Sequence, residues 1–180
     1  MTGFPVLSWR GRKAQKVARK LYSGLLKAAL SPELYESGAG TDTFEGRAAM
    51  VTVHASLLVH RLRGMQIRAA DELSRAVNAL ILDGFDAAYR EKGVGDSSIA
   101  RKVRKLAEQH SGLGRALMTA FGAGPADADA DLDAILKRNA VSQPGEEALL
   151  AAYIQGAQAA LSALPDAAVL EGEIDWPDLQ

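Results

Sequence analysis

The 180-residue chain contains no cysteine, few aromatic residues and no long apolar run at its start. Without cysteine, disulfide bonds, thiolate metal sites and thiol nucleophiles are excluded, which suits a reducing compartment. The first residues lack an apolar core followed by a small-residue cleavage site, so we expect no secretory signal peptide. The longest uncharged run, Ala148 to Pro165, is rich in alanine and contains two glutamines, which favours a buried amphipathic helix over a membrane span.

Strand-like alternation and hairpin dipeptides are also absent, whereas apolar residues recur at helical spacing. We therefore predict an all-α fold, a single-domain bundle of about six to seven helices. The long helices are expected over about 12–30, 43–64, 69–92 and 97–121, with a short turn after Ser31-Pro32, an acidic helix to about 139 and a last helix to about 164. Residues 1–11 are expected to be a flexible N-terminal segment, 12–164 the helical domain, and 165–180 an acidic C-terminal tail in the form of a flexible arm.

The net charge of −1 conceals a strong asymmetry along the chain. Residues 1–121 carry 19 basic and 11 acidic side chains, whereas residues 122–180 carry 2 basic and 11 acidic ones. Two interpretations stay open at this point: the acidic part folds against the basic part, or each faces a partner of its own.

The segment REKGVGDSSIARKVRK, from Arg90 to Lys105, joins two predicted helices. Gly93 suits the left-handed residue that closes a helix, and Asp96 or Ser97 suits the next N-cap. Four cations follow within five positions: Arg101, Lys102, Arg104 and Lys105. Because Ile99, Val103 and Leu106 follow helical spacing, we expect them to face inward and the cations to face outward as a partner-binding surface.

No constellation of side chains is typical of an enzyme, so we expect no catalytic activity, no cofactor and no metal. His54 and His60 lie six positions apart, on different faces of one helix, and no Glu-x-x-His motif occurs. His54 is expected to be a hydrogen-bonded group at a helix interface rather than a haem ligand, and His110 a packed residue at the edge of the core. The GVGDSS loop follows a helix and lacks the lysine of a phosphate-binding loop. Asp83 and Asp86 are expected to be solvated charges or partners of Arg90.

The basic helix has several possible partners. Clustered cations bind phosphates in a salt-dependent way, which fits ribosomal RNA or anionic lipid headgroups. Helix-turn-helix spacing and stacking aromatics are absent, so we expect no specific DNA binding. An ordinary solvated helix face is the third interpretation.

Two blocks, GRAAMVTVHASLLVHRL and LDGFDAAYREKGVGDSSIARKVRKLAE, resemble the ubiquinol–cytochrome c chaperone family. The resemblance covers roughly residues 21–121, and 82–108 is its most specific part. One difference is that the family's aromatic-aromatic-Gly-Arg run after the basic helix is replaced by His110, Ser111, Gly112 and Leu113. The matching positions are Arg47, His54, Arg61, Leu62, Asp83, Asp86, Arg90, Glu91, Gly93, Val94, Gly95, Asp96, Lys102, Lys105 and Glu108.

The resemblance implies a non-enzymatic assembly chaperone for the cytochrome bc1 complex that binds nascent or newly inserted cytochrome b. It further implies bc1 subunits and a second assembly factor as partners, contact with the ribosome or the inner-membrane surface, and a bacterial-type protein that is cytoplasmic or peripheral at that membrane. The alternative is a general ribosome- or anionic-lipid-binding helical adaptor without a bc1 client. A haem carrier acting through His54 or His60 is a third hypothesis.

Overall fold

The computed structural model describes the backbone of residues 6–93, 95–122 and 132–179, with the side chains of residues 6–10, 96 and 97 outside the description. Over these ranges the chain forms eight helices and no strand, which confirms the predicted all-α bundle. The short helix over Asp166–Leu170, in the predicted tail, raises the count above the six to seven expected. The helices are α1 (Val6–Ala29), α2 (Pro32–Glu36), α3 (Phe44–Gly64), α4 (Arg68–Glu91), α5 (Asp96–Gly122), α6 (Leu132–Arg138), α7 (Glu147–Ala163) and α8 (Asp166–Leu170).

The termini of the chain differ from the expectation. Helix α1 already begins at Val6, so residues 6–11 continue the first helix rather than form a loose segment. The reason is that no proline separates Val6 from Arg12, and Ser8 and Gly11 alone do not stop a helix. Residues 1–5 and the acidic stretch 123–131 lie outside the described residues.

Helix α3 is the central helix of the bundle and packs against α1, α4, α5 and α7. Every residue from Met50 to Leu58 is buried, including the polar residues Thr52, His54 and Ser56. The Ser56 hydroxyl donates to the carbonyl oxygen of Thr52 at 2.8 Å, and the Thr52 hydroxyl lies 2.9 Å from the carbonyl oxygen of Ala48 and 2.8 Å from Nδ1 of His110. Intrahelical bonds of this kind let a helix with several polar residues be buried on all sides.

Helices α3, α4 and α5 run up and down, so that the start of α3, the end of α4 and the start of α5 lie close together. The short connection after Gly64 makes α3 and α4 antiparallel neighbours. Phe44, the first residue of α3, lies 4.6 Å from Tyr89 near the end of α4, measured between ring centroids. The joint between α4 and α5 therefore lies beside the start of α3.

The residues after α8 pack along α1, and we call residues 171–179 the C-terminal strap. Lys20 of α1 donates to the carbonyl of Glu171 at 3.4 Å and pairs with Glu173 at 3.6 Å. Further along, the Trp176 side chain reaches Gly24 of α1. The flexible arm expected for the acidic tail is thus wrong for residues 166–179, and the basic helix they contact is α1.

Candidate partner-binding surface

The end of α4 is terminated as the sequence predicts. The chain leaves the helix at Gly93, which has φ +70°, the left-handed conformation that glycine adopts without strain. The Gly93 N–H donates to the carbonyl of Arg90 at 3.0 Å. Glu91, the last residue of α4, is exposed.

The N-cap of α5 lies one residue before Asp96, the earlier of the two predicted cap positions. The carbonyl of Gly95 accepts from the N–H groups of Ser98 at 2.9 Å and Ile99 at 3.2 Å, so Gly95 occupies the N-cap position. Asp96 is the first helical residue, and its side chain, like Val94, lies outside the described residues.

The basic cluster of α5 lies on the outer face of the bundle. Ile99 and Leu106 are buried and anchor this part of the helix in the core. Arg104 pairs with Glu108 across one turn at 3.0 Å, an exposed pair of small energetic weight. The exposed cations are Arg101, Lys102, Arg104 and Lys105, of which Arg101 and Lys105 have no described carboxylate within the 4.0 Å ion-pair distance.

Two aromatic rings extend this cationic surface to α3 and α4. The Nζ of Lys102 lies 5.9 Å from the centroid of Tyr89, and the Nζ of Lys92 lies 4.5 Å from the centroid of Phe44. Cation–π attraction holds such ammonium groups over a ring without neutralising their charge. We define the cationic end surface as Lys92, Arg101, Lys102, Arg104 and Lys105.

Asp86, one of the acidic motif residues of α4, has a structural partner. Arg90 pairs with Asp86 at 2.7 Å, as expected from their spacing. Asp83 is exposed, and its charge adds to burial in raising the pKa of Tyr22 on α1. Between them, Gly84 faces the Tyr22 hydroxyl so closely that a Cβ atom would overlap it. This stretch therefore sets the contact between α1 and α4.

His54 is a buried structural residue, as the sequence analysis favoured. Its Nδ1–H donates to the carbonyl of Met50 at 2.9 Å, and its Nε2 accepts from the Tyr153 hydroxyl at 2.8 Å. The Trp176 ring lies 5.0 Å from the imidazole, measured between centroids. Burial lowers the pKa of His54 to about 4, so the ring is neutral at pH 7. Since both ring nitrogens are engaged, His54 has no nitrogen available for a haem iron.

Arg61 closes the C-terminal end of α7. Its guanidinium donates to the carbonyls of Leu161 at 2.8 Å and Leu164 at 2.7 Å, and it pairs with Asp166 of α8 at 2.6 Å. The Arg61 side chain is only 12 % exposed. A cation at this position satisfies terminal carbonyls that the helix itself leaves without donors.

Arg47 lies in the first turn of α3 and contacts the loop that precedes the helix. Its Nε donates to Asp42 at 2.8 Å, and its guanidinium carbon lies 4.5 Å from the centroid of Tyr35. The hydroxyl of Tyr35 donates to the carbonyl of Ala29 at 2.6 Å, and burial raises its pKa to about 12. Arg47 thus connects α3 to α2 rather than to the cationic end surface.

The other two histidines also have protein partners. His60 Nε2 accepts from the Gln158 amide at 3.4 Å, and its ring makes an edge contact with Phe121. His110 bonds to Thr52 at 2.8 Å and to Asn78 at 3.1 Å. Among the described residues, no group of three or more potential metal ligands comes together. Within the same ranges, no helix combines the length and hydrophobicity that crossing a bilayer requires.

Three of these features were not predicted from the sequence. They are the contribution of Lys92 to the cationic end surface, the contact of Trp176 with His54 and the cap that Arg61 forms on α7. A lysine directly after the last residue of α4 was a usable signal for the first, since cations favour helix C-termini. The other two depend on contacts between residues 100 or more positions apart, for which local spacing holds no signal.

The chain is similar to a known protein family and to a solved structure. The profile of the family described as ubiquinol–cytochrome C chaperone matches residues 36–176, most of the chain. A crystal structure of the Cbp3 homolog from Brucella abortus is similar, with 28 % identity, a TM-score of 0.79 and coverage of 96 % of each chain. No significant match was found among curated proteins.

Proposed function

The chain belongs to the ubiquinol–cytochrome c chaperone family, and on that premise we propose that it assists assembly of the cytochrome bc1 complex by binding newly made cytochrome b. The family match over residues 36–176 is the observation that carries this proposal. The role we propose is non-enzymatic, and it includes a second assembly factor as a partner at the inner face of the membrane.

The cationic end surface is suited to a negatively charged partner. Five exposed cations from the end of α4 and the start of α5 lie on one end of the bundle, and the acidic C-terminal strap packs on α1 instead. A cationic surface attracts phosphate groups or acidic loops and accelerates encounter with them. We propose that this surface meets the ribosome or the anionic membrane surface while the client is held.

Deleting the gene tests the client. We expect assembled bc1 complex and the haem b absorption of membranes to fall strongly, and a plasmid-borne copy to restore both. Normal amounts of haem-loaded cytochrome b in the deletion strain would contradict the proposal and favour the adaptor without a bc1 client.

Charge reversal tests the surface. We expect the quadruple variant of Arg101, Lys102, Arg104 and Lys105 to Glu to lose most binding to ribosomes or to vesicles containing anionic lipid, measured by co-sedimentation at two salt concentrations. The matched control reverses four exposed cations of α1, namely Arg12, Lys13, Lys16 and Arg19. Equal binding by both variants and the native protein would show that the cationic end surface has no such partner.

A further inference from the structure

A cleft lined by residues of α3, α4 and α5 opens on the surface, and its volume is about 670 Å³. Small residues form its base, because Ala55 and Ser56 of α3 lie opposite Gly114 of α5. A Cβ atom on Gly114 would lie 3.7 Å from the Ser56 hydroxyl, so the two helices approach closely here. We call this site the three-helix cleft.

The polar groups at the base of the cleft already have partners. His110 bonds to Thr52 and Asn78, and its ring makes an edge contact with Phe85 at 5.6 Å between centroids. Burial lowers the pKa of His110, which keeps the ring neutral at pH 7. The base therefore places no unpaired polar group or charge in the path of an apolar ligand.

The walls offer apolar surface and the rim offers positive charge. Val59, Leu82 and Met118 are partly exposed within the cleft. Arg63 and Arg115 are exposed at its edge, and no acidic residue is among those lining it. Arg115 donates to Ser111 at 2.9 Å, and neither arginine has a described carboxylate within ion-pair distance. The complementary ligand is apolar on one side and carries carboxylates beside that side.

The shape favours a helix over a compact small molecule. The residues of α5 that line the cleft run from Ala107 to Thr119, which corresponds to about 18 Å along the helix axis. Such a length matches about three turns of a docked helix, and small residues at its base allow close approach of another backbone. Ala107, where the lining of the cleft begins on α5, lies three positions after Arg104 of the cationic end surface and therefore next to it on the same face of the helix.

We propose that the three-helix cleft binds an amphipathic helix of a partner protein, with its apolar face against Val59, Leu82 and Met118 and its flanking carboxylates on Arg63 and Arg115. This inference names the kind of segment that the chaperone recognises, and so it rests on the proposed function. The partner's helix and the cationic end surface would then engage one continuous side of α5.

Binding of a designed probe tests the cleft directly. The probe is a fluorescein-labelled 14-residue helical peptide with a leucine face flanked by glutamates, and a second peptide has lysines in their place. We expect fluorescence anisotropy with the full-length protein to show at least tenfold tighter binding of the glutamate peptide. Gly114→Leu should weaken that binding at least tenfold, because the new side chain fills the cleft. Gly112→Leu on the same helix, where a Cβ meets nothing within 4 Å, should leave binding unchanged.

A double variant keeps the test valid if Gly114→Leu misfolds. Arg63→Glu combined with Arg115→Glu should reverse the preference to the lysine peptide while the far-UV circular dichroism stays native. Equal binding by native protein and Gly114→Leu, or no binding of either peptide, overturns the inference. Cleft-dependent binding of anionic lipid vesicles with no peptide binding also overturns it, since the cleft would then be a lipid site.

Complementation of the gene deletion with the Gly114→Leu variant distinguishes this inference from the proposed function on which it rests. If gene deletion abolishes bc1 assembly but the Gly114→Leu protein supports it fully, the function stands and the cleft inference falls. If deletion leaves bc1 assembly intact, the proposed function itself falls.

Discussion

At the scale of single residues, buried polar groups of α3 join elements that are distant in the chain. His54 connects α3 to α7 through Tyr153 and to the C-terminal strap through Trp176. Each hydrogen bond of the imidazole replaces one that water would otherwise supply, so the ring is accommodated in the core as a neutral group. The same residue type at an exposed position would carry no such constraint.

Burial of His54 predicts a loss of stability at mildly acidic pH. The pKa of His54 is about 4 in the folded protein and about 6.5 in the unfolded chain. Between these values the unfolded chain binds a proton at His54 that the folded protein does not bind, so protonation favours unfolding. This contribution to the free energy of unfolding is complete above pH 6.5 and is lost as the pH falls toward 4, by about 3 kcal/mol in total. Urea unfolding at pH 7.5, 6.5, 5.5 and 5.0 measures it.

The His54→Gln variant isolates this residue from the other titrating groups. Burial also lowers the pKa values of His60 and His110, so they add a dependence of the same sign. The native protein should lose stability more steeply than His54→Gln between pH 6.5 and 5. Parallel curves for the two proteins would show that His54 does not titrate in this way.

At the scale of elements, the predicted helices form but their environments differ from a simple amphipathic pattern. The apolar positions of α3 at Ala48, Val51, Ala55, Leu58 and Leu62 are buried as expected. The opposite side of α3 is buried too. Helices α4 and α5 alone would leave that side exposed, but α1 and α7 also pack against α3. Periodicity identifies the helix, while the number of neighbours decides how much of it is buried.

Gly46, in the first turn of α3, has no room for a larger side chain. A Cβ atom on Gly46 would overlap the carbonyl oxygen of Thr41, and that loop is held by bonds from Thr41 to Val141 at 2.9 Å and to Ala140 at 3.1 Å. Gly46→Ala should therefore lower the free energy of unfolding by about 2 kcal/mol.

Gly112 of α5 supplies the control for this substitution. A Cβ atom there meets nothing within 4 Å, so Gly112→Ala should raise stability by about 0.5–1 kcal/mol through helix propensity alone. Urea denaturation of both variants gives the comparison. Similar effects of the same sign would show that the Thr41 loop yields to the new methyl group.

At the scale of the whole molecule, the charge asymmetry of the chain is only partly resolved by folding. The acidic C-terminal strap lies on α1, where Glu173 pairs with Lys20, while Asp166 pairs with Arg61. The cations of the end surface stay exposed at the start of α5. The first interpretation of the asymmetry therefore applies to α1, and the partner interpretation stays a proposal for α5.

The C-terminal strap is expected to stabilise the bundle through Trp176 rather than through its charges. The indole packs on His54 and against α1, whereas the Lys20–Glu173 pair is more than half exposed. Trp176→Ala should lower the free energy of unfolding by about 2–3 kcal/mol and the Tm by roughly 5–10 °C. Asp175→Asn, an exposed change in the same segment, should move the free energy by less than about 0.5 kcal/mol. Calorimetry that gives equal Tm values for the two variants would contradict an anchoring role for Trp176.

The sequence by itself determined the all-α class, the approximate bounds of the long helices, the joint after α4 and the outward direction of the α5 cations. Each depends on interactions within a few residues, such as apolar spacing, caps and the left-handed glycine at position 93. Only the tertiary structure decided that α3 is buried on all sides, that Trp176 reaches His54, that Arg61 caps α7 and that a cleft opens between three helices. These features join residues far apart in the chain, and their contacts depend on which helix faces meet, which no local spacing specifies.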